Sequence, residues 1–120
     1  SVSSVAACEN ALVATGFPYE IARRVDEILK RIRPVLSSCQ GVRRCGAAAL
    51  DLAWTACGRF DAFYEDELKP WDMAAGALLV TEAGGTVSNL DGSPFDLRWS
   101  ILAGNKAMHE LIGNMIRSSQ

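Results

Sequence analysis

The stretch that decides the fold of this chain is Lys69-Pro70-Trp71-Asp72-Met73-Ala74-Ala75-Gly76, which is followed by Glu82-Ala83-Gly84-Gly85. Proline has a φ angle suited to helix entry and no N–H to leave unpaired, so Pro70 marks a helix start. The glycine pair marks the end of the helix, where a left-handed residue is favoured. Asp72 therefore lies in the first turn, where the helix dipole stabilises a carboxylate. Its position is compatible with an ordinary helix-start acid and with a rigid metal ligand.

Hydrophobic periodicity predicts alternating strands and helices on both sides of this stretch. A helix is predicted from Tyr19 to Leu36, and Pro34 is expected to end or kink it near Arg33. The alternation indicates a layered α/β domain. The remaining predicted strands span 10–15, 42–44, 59–65, 86–89 and 100–103, and the remaining predicted helices span 47–56, 70–83 and 106–117.

The composition is that of an ordinary globular domain. The chain has 120 residues, 49% of them hydrophobic and 22% charged, so it can enclose one core. A formal net charge of −2 gives no reason to expect nucleic acid or an anionic membrane as a partner. Five basic residues cluster in the segment 20–33, but three acids lie among them, and this pattern predicts a solvated helix face.

The four cysteines show no spacing typical of a zinc site, and His109 is the only histidine. We predict free thiols in a reducing cytoplasm, with Cys57 buried within a helix. No stretch of about 18 uninterrupted apolar residues occurs, so the sequence predicts no membrane span. The cysteines are Cys8, Cys39, Cys45 and Cys57.

The pattern Trp71-Asp72-x-Ala74-x-Gly76, followed by Glu82-Ala83-Gly84-Gly85, is similar to the C-terminal signature of the inositol monophosphatase family. These proteins are magnesium-dependent sugar-phosphate phosphatases. Other segments carry the same resemblance, which runs from about residue 9 to the C-terminus. They read Ala14-Thr15-Gly16-Phe17-Pro18-Tyr19, Gly46-Ala47-Ala48-Ala49-Leu50-Asp51-Leu52-Ala53, Cys57-Gly58-Arg59-Phe60-Asp61-Ala62-Phe63-Tyr64-Glu65, Gly92-Ser93-Pro94-Phe95-Asp96-Leu97 and Ile101-Leu102-Ala103-Gly104-Asn105.

The resemblance also implies which part of the family's fold is present. The family's other signatures, a Glu-containing helix end and an Asp-Pro-x-Asp-Gly-Thr loop, supply most of the metal ligands and do not occur in this sequence. The chain also begins at Ser1 without a methionine. We therefore expect residues 1–120 to form the C-terminal α/β half of the family's fold, a layered mixed β-sheet flanked by helices, without the N-terminal metal-binding half.

The resemblance implies roles for three places in the chain. Asp72 is expected to be catalytic, to bind Mg²⁺ together with aspartates of the missing loop, and to accept a hydrogen bond from a substrate hydroxyl. Glu65 is expected to contact ring hydroxyls, although the neighbouring acids Asp66 and Glu67 equally suggest a solvated loop. Gly46, Ala47 and Ala48 are expected to line the substrate pocket with helix-start N–H groups, although small residues also serve close helix packing.

Three further residues are assigned structural roles. Trp71 is predicted to pack rather than to stack on a substrate. Asp51, on an otherwise apolar helix, is predicted to be a satisfied buried or interfacial acid. His109 is predicted to lie on the surface beside Glu110.

The activity implied for the complete protein is Mg²⁺-dependent hydrolysis of inositol phosphate, a polyol phosphate monoester, with this chain inactive alone. Related substrates in the superfamily are fructose bisphosphate, histidinol phosphate and 3′-phosphonucleotides. A second hypothesis is a non-catalytic assembly module, because some bacterial relatives act in transcription and ribosome biogenesis. A homodimer is expected, since the missing half would leave apolar helix surfaces uncovered.

Overall fold

The computed structural model describes residues 1–119 as a five-stranded sheet between two layers of helices. A single 3₁₀ turn (Cys8–Asn10) precedes the first strand. The elements are β1 (Leu12–Thr15), α1 (Ile21–Ser38), β2 (Gly41–Arg43), α2 (Ala48–Ala56), β3 (Ala62–Glu65), α3 (Pro70–Glu82), β4 (Thr86–Ser88), β5 (Ile101–Gly104) and α4 (Lys106–Ser118). The predicted α/β class and the mixed sheet are confirmed.

The sheet has the order β2-β1-β3-β5-β4. The first three strands run parallel, with β1 between β2 and β3, and β5 pairs antiparallel with both β3 and β4. Parallel neighbours require crossover helices, and α1 and α2 provide them. The carboxyl ends of β1, β2 and β3 therefore lie together at one edge of the sheet.

Alternation along the strands divides the core into two halves. In β3, Phe63 packs with residues of α2 and α3, whereas Ala62 and Tyr64 pack with residues of α1 and α4. Successive side chains of a strand point to opposite faces, so one strand contributes to both halves. Helices α1 and α4 thus cover one face of the sheet, and α2 and α3 cover the other.

The prediction that Pro34 ends the helix near Arg33 is wrong, because α1 continues through Pro34 to Ser38. Proline removes one N–H donor, which would have bonded to the carbonyl of Lys30. Lys30 is an exposed residue, while Val35 is fully buried and anchors the last turns. Burial of Val35 outweighs the local preference of proline.

The prediction for Cys57 is also wrong, since its side chain is exposed at the C-terminal cap of α2 rather than buried within it. Ala56 is the last helical residue, and Gly58, with a φ of 87°, turns the chain away. All four cysteines are free, as predicted. Within residues 1–119 the structure contains no helix that is long and apolar enough to cross a membrane.

Candidate active site

A cleft of about 670 Å³ opens where β1, β2 and β3 end and α2 and α3 begin. Ligands of parallel α/β sheets characteristically bind in the crevice beyond the carboxyl ends of the strands. The structure brings all the residues of the predicted site into this one cleft. They are Gly46, Ala47, Ala48, Glu65 and Asp72.

Asp72 stands in the first turn of α3, as predicted from Pro70. Its Oδ2 accepts a hydrogen bond of 3.0 Å from the backbone N–H of Lys69, and its own N–H donates to the Lys69 carbonyl at 2.9 Å. The Oδ1 atom makes no hydrogen bond to any described residue, and it lies on a partly exposed side chain that lines the cleft. One oxygen therefore holds the side chain in place while the other is available to a ligand.

Glu65 is the last residue of β3, and its side chain lies over Gly16, one residue beyond the end of the parallel pairing between β1 and β3. A methyl group at position 16 would overlap with the Glu65 carboxylate, whose Oε2 would lie only 2.8 Å from it. The absence of a side chain at Gly16 thus makes room for the carboxylate in the cleft. The prediction that Glu65 belongs with Asp72 was based on resemblance, and the sheet provides the geometry.

A second acid, Asp51, lies in the first turn of α2 and adds negative charge near Glu65. Burial raises the pKa of Glu65 to about 7, and the negative charges of Asp51, Asp66 and Asp72 add to this effect. Burial likewise raises the pKa of Asp51 to about 6. Asp51 is 1% exposed, and neither of its carboxylate oxygens has a hydrogen-bond partner among the described residues. Asp51 is therefore buried, as predicted, but no described residue satisfies its carboxylate by a hydrogen bond.

These raised pKa values predict that the chain loses stability as the pH rises. The folded pKa of Glu65 exceeds its ordinary value of 4.5, so the folded state retains a proton that the unfolded state releases. We expect the free energy of unfolding to fall by about 1 kcal/mol between pH 4.5 and 7, less than the full shift implies because solvent screens a partly exposed carboxylate. Glu65→Gln should remove this part of the pH dependence. Urea denaturation of wild type and of Glu65→Gln over that pH range measures how the free energy of unfolding of each protein depends on pH. The same pH dependence in both proteins would contradict the prediction.

The loop before α2 forms the opposite wall of the cleft. Gly46 has a φ of 88°, a left-handed conformation that glycine adopts without strain, and Ala47 is the N-terminal cap of α2. The first backbone N–H of α2 with a partner in the helix is that of Asp51, which donates to the Ala47 carbonyl at 2.9 Å. The preceding N–H groups therefore lack intrahelical acceptors and suit hydroxyl or phosphate oxygens.

Phe17 lines the cleft, whereas Trp71, the neighbour of Asp72, does not. The Arg44 guanidinium lies 5.3 Å from the ring centre of Phe17, a cation–π distance. Trp71 is 77% exposed, so its predicted packing role is wrong within the described residues.

His109 is half-buried rather than on the surface, and its Nε2 lies 2.8 Å from the Ser88 Oγ. Burial lowers the pKa of His109.

The basic residues of α1 were predicted to form a solvated face, but two of them are mostly buried. Arg24 and Arg31 both bind the carboxylate of Asp66, which directly follows Glu65. Asp66 is 5% exposed, so it does not belong to a solvated loop. The spacing of the two arginines was a signal for this in the sequence. Residues seven apart lie on one face of a helix, so Arg24 and Arg31 extend from the same face of α1.

The described residues contain no group of three or more His, Cys, Asp or Glu side chains that could hold a metal ion. Mg²⁺ prefers octahedral oxygen coordination, of which a single carboxylate supplies one position. The Oδ1 of Asp72 has the right chemistry for one ligand. The described residues by themselves do not form a complete magnesium site.

A mixed α/β sheet with carboxylates and helix N-termini around one cleft defines an α/β protein with a candidate ligand-binding site. The model of the "Inositol monophosphatase family" matches residues 1–120, and the chain belongs to this family. The chain is 43% identical over 113 residues to the inositol-1-monophosphatase of Caulobacter vibrioides, covering 92% of this chain and 44% of that protein. It is 50% identical over 107 residues to the Nus factor SuhB of Pseudomonas aeruginosa, and this match covers 87% of this chain and 40% of that protein.

Solved structures show the same likeness. The inositol monophosphatase from Anabaena (Nostoc) sp. PCC 7120 superposes with a TM-score of 0.92 at 37% identity, covering 98% of this chain and 47% of that one. The extragenic suppressor protein suhB from Bartonella henselae superposes with a TM-score of 0.91 at 40% identity, and the match covers 97% of this chain and 45% of that one. The chain therefore spans less than half the length of these relatives.

Proposed function

We propose that the complete protein containing this chain hydrolyses inositol phosphate, a polyol phosphate monoester, to the alcohol and phosphate in a Mg²⁺-dependent reaction. The observation that carries the proposal is the convergence of Asp72, Glu65 and the loop 46–48 on one cleft of a family member. Asp72 and Glu65 belong to different elements, so the fold is required to bring them together. The inositol-1-monophosphatases among the relatives support the choice of substrate class.

In this proposal each wall of the cleft has its own task. The Oδ1 of Asp72 offers one oxygen ligand to Mg²⁺, which when bound would activate water and stabilise negative charge on phosphate oxygens. Glu65 accepts hydrogen bonds from ring hydroxyls and so orients the polyol. The N–H groups at the start of α2 bind hydroxyl or phosphate oxygens without adding charge. This chain therefore binds and orients the substrate, and it contributes one metal ligand.

We further propose that residues 1–120 are the C-terminal portion of the enzyme and that an N-terminal half supplies the remaining magnesium ligands. The proposal is supported by the relatives, which are more than twice as long as the matched segment. It explains why Asp72 faces the cleft without a cluster of three or more candidate metal ligands among the described residues. We place the protein in the cytoplasm, as the four free thiols favour a reducing compartment.

The direct test is phosphate release by the complete protein, of the relatives' length, with inositol 1-phosphate in the presence and absence of Mg²⁺. Fructose bisphosphate, histidinol phosphate and a 3′-phosphonucleotide serve as competing substrates. We expect the highest kcat/KM for inositol 1-phosphate and no activity from residues 1–120 alone. A preference for one of the other three would correct the substrate, and no hydrolysis of any would overturn the proposed function.

A second candidate function is a non-catalytic assembly or partner-binding module. Several relatives are named Nus factor SuhB, and the outer face of α2 and α3 is notably apolar. We define this apolar face by its exposed large side chains, Leu50, Trp71, Leu78 and Leu79, which are 42%, 77%, 61% and 50% exposed. Large exposed apolar side chains on two neighbouring helices favour a contact site.

We expect residues 1–120 in isolation to associate through this apolar face, as a symmetric homodimer. Two-fold pairing is the commonest closed arrangement, and burying the leucines would remove apolar surface from water. Light scattering of the wild-type chain measures the mass, and Leu78→Lys should give a monomer. Leu29→Lys is the matched control, since Leu29 is similarly exposed (51%) but lies on α1, across the sheet. A monomeric wild-type chain at high concentration would contradict the expectation.

A further inference from the structure

An ion-pair network joins α1 to the segment that follows Glu65. The Oδ2 of Asp66 accepts hydrogen bonds from Arg24 Nη2 at 2.7 Å and from Arg31 Nη1 at 2.6 Å. The side chains of Asp66, Arg24 and Arg31 are 5%, 15% and 14% exposed. Charge-assisted bonds of this length, largely removed from water, are among the stronger hydrogen bonds in proteins.

Glu27 closes the network on the surface of α1. It accepts hydrogen bonds from Arg24 at 3.0 Å and from Arg31 at 2.6 Å, so both guanidinium groups are held by acids on two sides. Arg24 also lies 3.5 Å from a carboxylate oxygen of Glu67. Two arginines therefore face three acids, and the network has no excess positive charge to offer an external anion.

The charge states of the network agree with this geometry. Burial alone would raise the pKa of Asp66, but the hydrogen bonds from Arg24 and Arg31 outweigh it and lower that pKa below the ordinary value. The Asp66 hydrogen bond likewise raises the pKa of Arg24. Asp66 and Arg24 are thus charged at neutral pH, and removing one of these charges would leave the other buried without compensation.

The network acts on a short segment whose two ends are also held. The Thr15 Oγ1 donates a hydrogen bond of 2.8 Å to the Tyr64 carbonyl, and the Leu68 N–H donates to the Trp99 carbonyl at 3.0 Å. Between them, Glu67 has a φ of 57°, a left-handed conformation that costs energy for a residue with a side chain. The hydrogen bonds that Asp66 accepts from α1 hold this bend of the backbone in place.

Glu65 and Asp66 are adjacent but serve opposite faces of the sheet. The Glu65 side chain enters the cleft over Gly16, whereas the Asp66 side chain points to α1. Fixing Asp66 on one face therefore fixes the backbone from which Glu65 projects on the other.

We propose that Asp66, held by Arg24 and Arg31, is a positioning residue that fixes Glu65 and thereby sets the affinity of the cleft for its polyol phosphate. This inference rests on the proposed function. It adds α1, which lies on the far face of the sheet, to the elements that determine substrate binding.

The test is a double-mutant cycle in the complete protein with inositol 1-phosphate as substrate. Glu65→Gln and Asp66→Asn should each raise KM about tenfold and change kcat much less, since a lost hydrogen bond to a charged group acts on binding. The double variant should show no further rise, because Asp66 acts through Glu65. Asp26→Asn is the matched control: it removes the same charge from an exposed position on α1 that has no ion pair among the described residues.

Hydrogen exchange gives a readout that does not depend on turnover. The amides of residues 65–68 should exchange faster in Asp66→Asn than in wild type or Asp26→Asn. If Asp66→Asn does not fold, Arg24→Gln, which leaves Arg31 on the carboxylate, replaces it in both measurements. Unchanged exchange and KM in an active protein, or additive effects in the double variant, would overturn the inference while leaving the proposed function intact. A wild-type protein that hydrolyses no polyol phosphate would instead overturn the proposed function and with it the substrate role of the network.

Discussion

Asp72→Asn should reduce the kcat of the complete protein on inositol 1-phosphate on the order of 100-fold or more, because it removes the negative charge that the cleft offers to Mg²⁺. The fold should be retained. Asparagine has the same size, and its side-chain oxygen can still accept the hydrogen bond that the Lys69 N–H donates to Asp72 at 3.0 Å. Steady-state kinetics over a range of Mg²⁺ concentrations separates a loss of metal affinity from a loss of turnover.

The matched control for this variant is Asp26→Asn, which makes the same chemical change at an exposed position outside the cleft. Both variants should unfold in urea at concentrations close to that for wild type. A near wild-type kcat in a folded Asp72→Asn protein would mean that Asp72 is only a helix-capping acid, which is the alternative that its position in the first turn leaves open.

Gly76→Ala should destabilise the isolated chain by about 2 kcal/mol, although alanine is the better helix former. Gly76 lies in the middle of α3, buried against α2. A Cβ atom there would lie 2.5 Å from both Cβ and Cδ1 of Leu52, a side chain that is fully buried and has no room to move. Helix propensity favours alanine by about 1 kcal/mol. The overlap costs more than this gain in helix propensity, because it forces apart α2 and α3, which pack closely against each other.

Gly113→Ala in α4 is the control for this effect, because it is the same substitution at another buried helical glycine. Its nearest neighbours would be the guanidinium of Arg117 at 2.9 Å and Cδ2 of Leu102 at 3.1 Å. The arginine end can move away, so we expect a change within about 0.5 kcal/mol of wild type. Urea denaturation followed by circular dichroism measures both variants. Equal stabilities of Gly76→Ala and Gly113→Ala would contradict the packing argument.

Local sequence signals predicted most of the elements. Pro70 and Gly84 bracket α3 because φ preferences and missing donors act within a few residues and need no tertiary partner. The amphipathic periodicity of α1 and α4 predicted that these segments are helices, because periodicity is also a local property of the sequence. Pro34 is the exception, since burial of Val35 at the end of α1 outweighs the local cost of proline.

The candidate site was predictable only in part. Asp72 and the loop 46–48 sit at helix starts, and that position can be read from the residues alone. Nothing in the spacing of Glu65 places it in the cleft, because its location depends on parallel pairing of β3 with β1 and on the space above Gly16. Only resemblance to the family distinguished it from Asp66 and Glu67 before the fold was known.

By itself the sequence determined where the helices begin, which faces are apolar, and that a lone carboxylate occupies the first turn of α3. The tertiary structure decided which charges are buried and with whom. Asp66 looks like a loop acid and Arg24 and Arg31 like a solvated helix face, yet the assembled fold brings each arginine to within 2.7 Å of the Asp66 carboxylate. The physical reason is that capping and periodicity are local properties of a chain, whereas an ion pair between residues 42 or 35 positions apart exists only after the sheet has assembled.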